Sequence, residues 1–163
     1  MEELLVNIIL VSALILINGY LTAAEIAVVT ARKGHIQQMV EAGKRNAKIF
    51  LKLKEEPNRL LATIQLGITI VGVLASAIGG ITAIQIIKPV LKDVPIKAIS
   101  AASDPLALGI VVIVISYCTL IFGELVPKSI ALAYPETIGL WTAKSIDIFS
   151  KGAATSGSWS SIG

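Results

Sequence analysis

The chain has 163 residues, of which 55% are hydrophobic and 15% are charged. This composition excludes an ordinary soluble globular domain, in which about 25% of residues are charged, and it predicts an integral membrane protein. The net charge of +3 is too small to indicate nucleic-acid binding, and the sequence has no catalytic triad, Walker loop or dinucleotide-binding motif that would predict an enzyme.

The first predicted element is a membrane-spanning helix over residues 3–31. Two glutamates, rather than a basic segment, precede its apolar run, so we interpret it as a retained span and not as a cleaved signal peptide. Asn18, Thr22 and Glu25 lie at i, i+4 and i+7 and therefore share one helix face. Because polar groups are unfavourable against lipid, we expect this stripe to face another helix or a hydrated cavity.

A helical hairpin at the membrane surface is predicted over residues 33–56. Apolar residues recur at helical spacing on both sides of Gly43, which divides the hairpin. The segment 32–59 carries eight basic residues: Arg32, Lys33, Lys44, Arg45, Lys48, Lys52, Lys54 and Arg59. The segment 88–104 carries three: Lys88, Lys92 and Lys97. The positive-inside rule therefore predicts a cytoplasmic hairpin (32–57), a cytoplasmic C-terminus and an external N-terminus.

The second span is predicted over residues 58–88, with Pro57 suited to its first turn. It carries a second polar stripe at i, i+4, i+7 and i+11, which consists of Gln65, Thr69, Gly72 and Ser76. One interpretation is that the stripes of the two spans enclose an oxygen-lined site near mid-membrane. The alternative is that these groups only form hydrogen bonds that hold the helices together.

Glu124 is the most informative residue of the third predicted span, 104–133. A charge at the centre of a membrane helix costs about 2.5–3.5 kcal/mol on insertion scales. Pro127 lacks an N–H group and opposes the carbonyl of Gly123, so we predict a break that frees this carbonyl beside the Glu124 carboxylate. Such oxygens suit Mg²⁺ or Ca²⁺. Pairing of Glu124 with Lys128, four residues on, is the alternative, and the residues leave both open.

An amphipathic interfacial helix is predicted over residues 135–150, because Pro135 suits a first helical turn. Its expected apolar contacts are Ile138, Trp141, Ile146 and Phe149. The tail, 151–163, has no core-forming pattern. His35 is remote from any Cys or Asp cluster, so we expect no zinc site, and we interpret Cys118 as a small buried hydrophobe.

Three segments of the sequence resemble one known family: NGYLTAAEIAVVTARKGHI, NRLLATIQLGITIVGVLASAIGG and FGELVPKSIALAYPE. They are similar to the transmembrane domain of the CorC/CNNM magnesium transporters, which include hemolysin C-like bacterial members. The resemblance implies that residues 1–150 form this domain as a homodimer with a cytoplasmic helical belt. The family's paired CBS nucleotide-sensing modules are absent from the 163 residues, and we expect them in a longer, full-length protein.

The resemblance also implies a function and a set of ligands. The implied activity is export of Mg²⁺ through the plasma membrane by alternating access, coupled to Na⁺ entry, without enzymatic chemistry. The motifs put ion ligands at Thr22, Glu124 and the Gly123 carbonyl. Thr69 is a candidate hydroxyl ligand in the second span, and the further candidates are Ser76 and Glu25.

The second span departs from the family's magnesium-transporting pattern. Where those members carry asparagines, this chain reads Gly67-Ile68-Thr69 and Gly72, and the threonine hydroxyl is a shorter and weaker donor than an amide. One alternative is therefore polyamine export, with Glu124 and Glu25 as counter-charges for ammonium groups. Another is a membrane anchor and dimerisation module that transports nothing.

Overall fold

The structure is a computed structural model that describes residues 2–93 and 102–156. Within these ranges the chain is helical and contains no strand. In chain order the elements are α1 (Glu2–Thr30), α2 (Lys33–Glu41), α3 (Ala47–Glu55), α4 (Pro57–Lys92), α5 (Ser103–Leu120), a π-helical turn (Ile121–Leu125), α6 (Val126–Ala133) and α7 (Pro135–Ser156). We refer to α5, the π-turn and α6 together as the third span.

Three segments of the described chain are long and apolar enough to cross a membrane. They are α1 with 29 residues, Leu60–Lys92 of α4 with 33 and the third span, Ser103–Ala133, with 31. At a rise of about 1.5 Å per residue, each exceeds the ~30 Å apolar core of a bilayer. The protein is therefore an all-α membrane protein, with three spans in the described part of the chain, which confirms the predicted fold class. Its orientation in the membrane stays a prediction.

Two elements extend several residues past their predicted ends. The second span continues past residue 88 to Lys92, and α7 continues past residue 150 to Ser156. Residues 94–101 of the predicted 88–104 connection and residues 157–163 of the tail lie outside the described residues. Among the spans, α1 packs against α4 and against the third span, while α4 packs against α5.

The hairpin of α2 and α3 forms around two residues in left-handed backbone conformation, Gly43 with φ of 69° and Asn46 with φ of 65°. Its apolar faces do not point away from the protein. Ile36 and Phe50 are fully buried, and they join a core with residues of α1, α4 and α7. This core includes Leu21, Ala24, Val28, Leu60, Ile64, Ala143 and Ile146. The best-packed region of the molecule therefore lies where the hairpin meets the ends of the spans.

Lys54 fixes the end of α1 to the hairpin. Its ammonium nitrogen donates to the carbonyls of Val28 and Val29, both at 2.7 Å. These carbonyls belong to the last turn of α1, where no backbone N–H is available to them and the helix dipole is negative. Desolvation by burial lowers the pKa of Lys54.

One face of α7 packs against the core. Gly139, Thr142, Ala143 and Ile146 face the core, whereas Trp141 is 73% exposed and contacts Tyr20 edge-on with ring centroids 6.1 Å apart. Of the four predicted apolar contacts, only Ile146 is fully buried. The physical reason is the Phe50 ring, which lies directly against the Gly139 backbone and leaves no room for a larger residue there.

We expect Gly139→Ala to destabilise the protein by about 1–3 kcal/mol, the usual effect of overpacking. A Cβ atom at this position would overlap with the ring carbons of Phe50. The measurement is the midpoint of thermal unfolding of the detergent-solubilised chain.

The matched control is Gly152→Ala in the same helix, where a Cβ would meet nothing within 4 Å. This change should leave the midpoint unchanged or raise it, because alanine is the better helix former by about 0.5–1 kcal/mol. Equal midpoints for the two variants would contradict the assigned packing of Phe50.

A candidate cation site at the π-turn of the third span

The third span is continuous through the region where the sequence predicts a break. Between Ile121 and Leu125 it widens into a π-turn, in which the Val126 N–H donates to the carbonyl of Ile121, five residues back. The prediction of a break was thus wrong, while its cause was identified correctly. Pro127 cannot donate to Gly123, and a π-turn is one way for a helix to continue past such a lost bond.

The Gly123 carbonyl is satisfied by α1 instead of by its own helix. It accepts hydrogen bonds from Thr22 Oγ1 at 3.0 Å and from Asn18 Nδ2 at 3.3 Å. Thr22 and Asn18 are both buried. Asn18 and Thr22 of the polar stripe therefore face the π-turn, which is the kind of protein-shielded environment that buried polar groups require.

Two glycines allow this close approach. A Cβ atom on Gly19 would lie 2.7 Å from the Phe122 carbonyl oxygen and 2.9 Å from Cγ of Pro127. A Cβ on Gly123 would lie 3.0 Å from Asn18 Nδ2. Membrane helices approach each other closely where residues are small, and the side-chain donors of α1 reach the third-span backbone because both positions are glycine.

The Asn18 amide leaves one acceptor unpaired. Its Oδ1 atom is buried and has no hydrogen-bond partner among the described residues. Reversing the amide would turn Oδ1 towards the Gly123 oxygen, so two acceptors would face each other. A buried acceptor without a partner costs about 1–3 kcal/mol, and it can be satisfied by a cation or by an N–H or O–H donor.

The hydroxyl of Thr22 lies between two carbonyl oxygens. Its Oγ1 is 2.9 Å from the oxygen of Asn18 and 3.0 Å from that of Gly123. A hydroxyl has one proton and donates to one of them at a time. Hydroxyl, carbonyl and amide oxygens are thus concentrated within one turn of α1 and the π-turn.

Glu124 follows Gly123 directly and forms an ion pair. Its Oε1 lies 2.5 Å from Lys128 Nζ, and the side chains of Glu124 and Lys128 are 47% and 36% exposed. This is the pairing that the sequence left open as an alternative to a cation. The half-exposed carboxylate thus lies next to the residue that contacts the buried oxygens of α1.

The remaining predicted ligands lie elsewhere. Thr69 is exposed and donates to the Gln65 carbonyl of its own helix at 2.9 Å. Ser76 is exposed and Glu25 is half-buried. Among the described residues, no hydrogen bond connects any of these three to the π-turn. The structure thus brings Thr22 and Gly123 together beside Glu124, and it does not bring Thr69, Ser76 or Glu25 to them.

Sequence reasoning omitted Asn18 and Gly19 from the predicted site. Asn18 was recognised as part of the α1 stripe, and its spacing of four residues from Thr22 was the available signal. Within residues 2–93 and 102–156, no group of three or more His, Cys, Asp or Glu side chains is placed to hold a metal. The potential metal ligands at the π-turn are instead neutral oxygens and one carboxylate, a set that suits hard cations.

The three spans and the π-turn site define a multi-pass α-helical membrane domain. The family described as the cyclin M transmembrane N-terminal domain, CNNM, matches residues 9–153. This match covers most of the chain, and the protein belongs to the CNNM family.

Several curated proteins are similar in sequence. A UPF0053 protein of Synechocystis sp. is 41% identical over 83% of this chain and 30% of its own length. The polyamine export protein of Haemophilus influenzae is 30% identical over 85% of this chain and 31% of its own length. The UPF0053 inner membrane protein YfjD of Escherichia coli is 30% identical over 75% of this chain and 25% of its own length. The chain thus spans less than a third of each of these relatives.

We expect Gly19→Ala to separate α1 from the π-turn, because the new methyl group would lie too close to the Phe122 carbonyl and to Pro127. Backbone amides of the π-turn should then exchange with deuterium about tenfold faster or more, since local opening becomes easier. The measurement is hydrogen–deuterium exchange by mass spectrometry.

Gly109→Ala is the control. Gly109 lies in the third span, as the π-turn does, and a Cβ there would meet nothing within 4 Å. Its π-turn should exchange at the wild-type rate. Unchanged exchange in Gly19→Ala would show that the α1 contact does not hold the π-turn.

Proposed function

We propose that the chain is the membrane-embedded carrier domain of an exporter of Mg²⁺ or a related divalent cation. The observation that carries this proposal is the convergence of α1 donors on the Gly123 carbonyl, one residue before Glu124, within an apolar span. Neutral oxygens beside a carboxylate are the ligands that hard cations prefer. Membership of the CNNM family supports a transport role.

The small ligand set is compatible with Mg²⁺. This ion dehydrates reluctantly and usually keeps several waters, so one or two carboxylates with a few neutral oxygens suffice. We propose Thr22, Glu124 and the Gly123 carbonyl as ligands. Thr69, Ser76 and Glu25 are candidates of second rank, because they make no hydrogen bond to the π-turn.

The wider mechanism follows the family resemblance. We propose a homodimer in the plasma membrane that works by alternating access, with Na⁺ entry as the driving process and CBS modules of the full-length protein as cytoplasmic regulators. The excess of basic residues in 32–59 supports a cytoplasmic hairpin and C-terminus and an external N-terminus. Large apolar side chains exposed on all three spans, such as Leu16, Leu66 and Ile113, supply surface for lipid and for a second copy.

Polyamine export is the second candidate, and two observations favour it. One relative at 30% identity is named a polyamine export protein, and Thr69 stands where an asparagine ligand is expected for Mg²⁺. The oxygens that suit a metal also accept N–H bonds from ammonium groups. In this reading Glu124 and Glu25 are the counter-charges of an extended polyamine.

We expect Glu124→Gln and Thr22→Val to lower Mg²⁺ efflux from proteoliposomes about tenfold or more, because the first removes the negative charge of the carboxylate and the second removes a hydroxyl oxygen from a site of low dielectric. Efflux is followed with a Mg²⁺-sensitive dye. The control is Ser129→Ala, which removes an exposed hydroxyl bonded to the Leu125 carbonyl in the same span and should leave efflux unchanged.

Wild-type efflux by Glu124→Gln would exclude this residue as a ligand. Absence of wild-type flux for Mg²⁺ and polyamine alike would contradict both transport functions and support the membrane-anchor alternative.

Putrescine distinguishes the two cargoes. If Mg²⁺ is the cargo, radiolabelled putrescine should remain inside wild-type vesicles. Glu25→Gln should then leave Mg²⁺ efflux within about twofold of wild type, because a compact ion needs convergent ligands and Glu25 makes no hydrogen bond to the π-turn. Putrescine efflux that depends on both Glu124 and Glu25 would instead establish the polyamine function.

A further inference from the structure

The carboxylate of Glu124 is held by a cation that belongs to the chain itself. Lys128 Nζ lies 2.5 Å from Glu124 Oε1, and the two residues are separated by one helical turn that contains Pro127. Among the described residues, Lys128 is the ionic partner of Glu124. A cargo that uses this carboxylate as a ligand therefore brings its positive charge close to the ammonium group.

The two cations oppose each other at this carboxylate. An ammonium group at hydrogen-bonding distance and a divalent cation on the same carboxylate would repel each other strongly, and the repulsion is poorly screened beside buried groups. Lysine is suited to leaving, because its charge is carried on a flexible stem of four carbons. The Lys128 side chain is about one-third exposed, so it is not sealed into the core.

We infer that Lys128 is a tethered counter-ion of the carrier: cargo binding displaces it from Glu124, and cargo release restores the pair. This inference rests on the proposed transport function and adds a residue to it. The intact pair is neutral, so a carrier without cargo would not leave an isolated carboxylate in the span, which is the costly arrangement.

The pair also affects which cations bind. Because displacement of Lys128 opposes binding, a cargo must interact with Glu124 more strongly than an ammonium group does. A divalent ion has twice the Coulomb attraction of a monovalent ion at equal distance. Lys128 thus lowers the affinity for every cargo and excludes Na⁺ from the Mg²⁺ site more effectively than it excludes Mg²⁺.

The test measures Mg²⁺ affinity of the purified chain in nanodiscs by isothermal titration calorimetry. Lys128→Gln should lower the Kd about two- to fivefold, the range expected for loss of a competing, partly exposed ion pair. Lys128→Arg should raise it about threefold or more, because a guanidinium holds a carboxylate through two parallel hydrogen bonds. In the Glu124→Gln background, Lys128→Gln should bring no gain.

Lys151→Gln is the matched control, since it disrupts another lysine–carboxylate pair at i,i+4, with Asp147 at 2.6 Å, in α7. Its Mg²⁺ affinity should equal that of wild type. Should Lys128→Gln fail to fold, the opposite shift in Lys128→Arg still decides the question.

The outcomes separate the two proposals. Suppose that the wild-type chain binds Mg²⁺ and that folded Lys128→Gln binds it with an equal or higher Kd. This result would overturn the tethered counter-ion and leave the carrier function intact. An unchanged Kd in Lys128→Arg would overturn it as well. A wild-type chain that neither binds nor transports Mg²⁺ would overturn both.

Discussion

The carbonyl that Pro127 cannot pair determines how the spans are arranged. A buried backbone carbonyl in an apolar span requires a hydrogen-bond donor, and the Gly123 oxygen finds its donors in α1 rather than in its own helix. This contact fixes the register of α1 against the third span, since the residues one turn before Asn18 and one turn after Thr22, Leu14 and Ile26, have no side-chain donor. The glycine at position 19 makes the contact sterically possible.

The same contact concentrates polar atoms in an otherwise apolar surface. Thr22 and Asn18 are needed to satisfy one carbonyl, yet together they bring more acceptor capacity than that carbonyl uses, and Asn18 Oδ1 remains unpaired. In a medium of low dielectric, unpaired acceptors interact strongly with any cation that reaches them. The side chains that satisfy the Gly123 carbonyl thus also supply the neutral oxygens of a binding site, and Glu124 adds the negative charge.

The site is connected to the packed core through α1. Leu21, Ala24 and Val28 of α1 belong to the core formed with the hairpin and α7, and Val28 is only six residues, about 9 Å along the helix, from Thr22. Lys54 also attaches the end of α1 to the hairpin. A displacement of the hairpin would therefore act on the helix that supplies the donors to Gly123.

The sequence predicted the features that depend on periodicity and composition. Three apolar runs predicted the spans, Gly43 marked the division of the hairpin, and the spacing of Asn18 and Thr22 predicted a shared polar face. The π-turn was not predictable from the span alone, because Pro127 is compatible with a break, a kink or a π-turn, and the donors that satisfy the Gly123 oxygen lie more than 100 residues away.

The periodicity of a helix also does not predict which element its faces pack against, as two helices illustrate. The spacing of Thr69 and Ser76 correctly implied one face of α4, yet that face is exposed in this chain. On α7 the spacing of the apolar residues did not predict which face packs against the core, and Phe50 selects the face with Gly139 because only glycine admits its ring. Patterns of polarity report which residues lie together on a helix, and the shape of the neighbouring element decides which of them are buried.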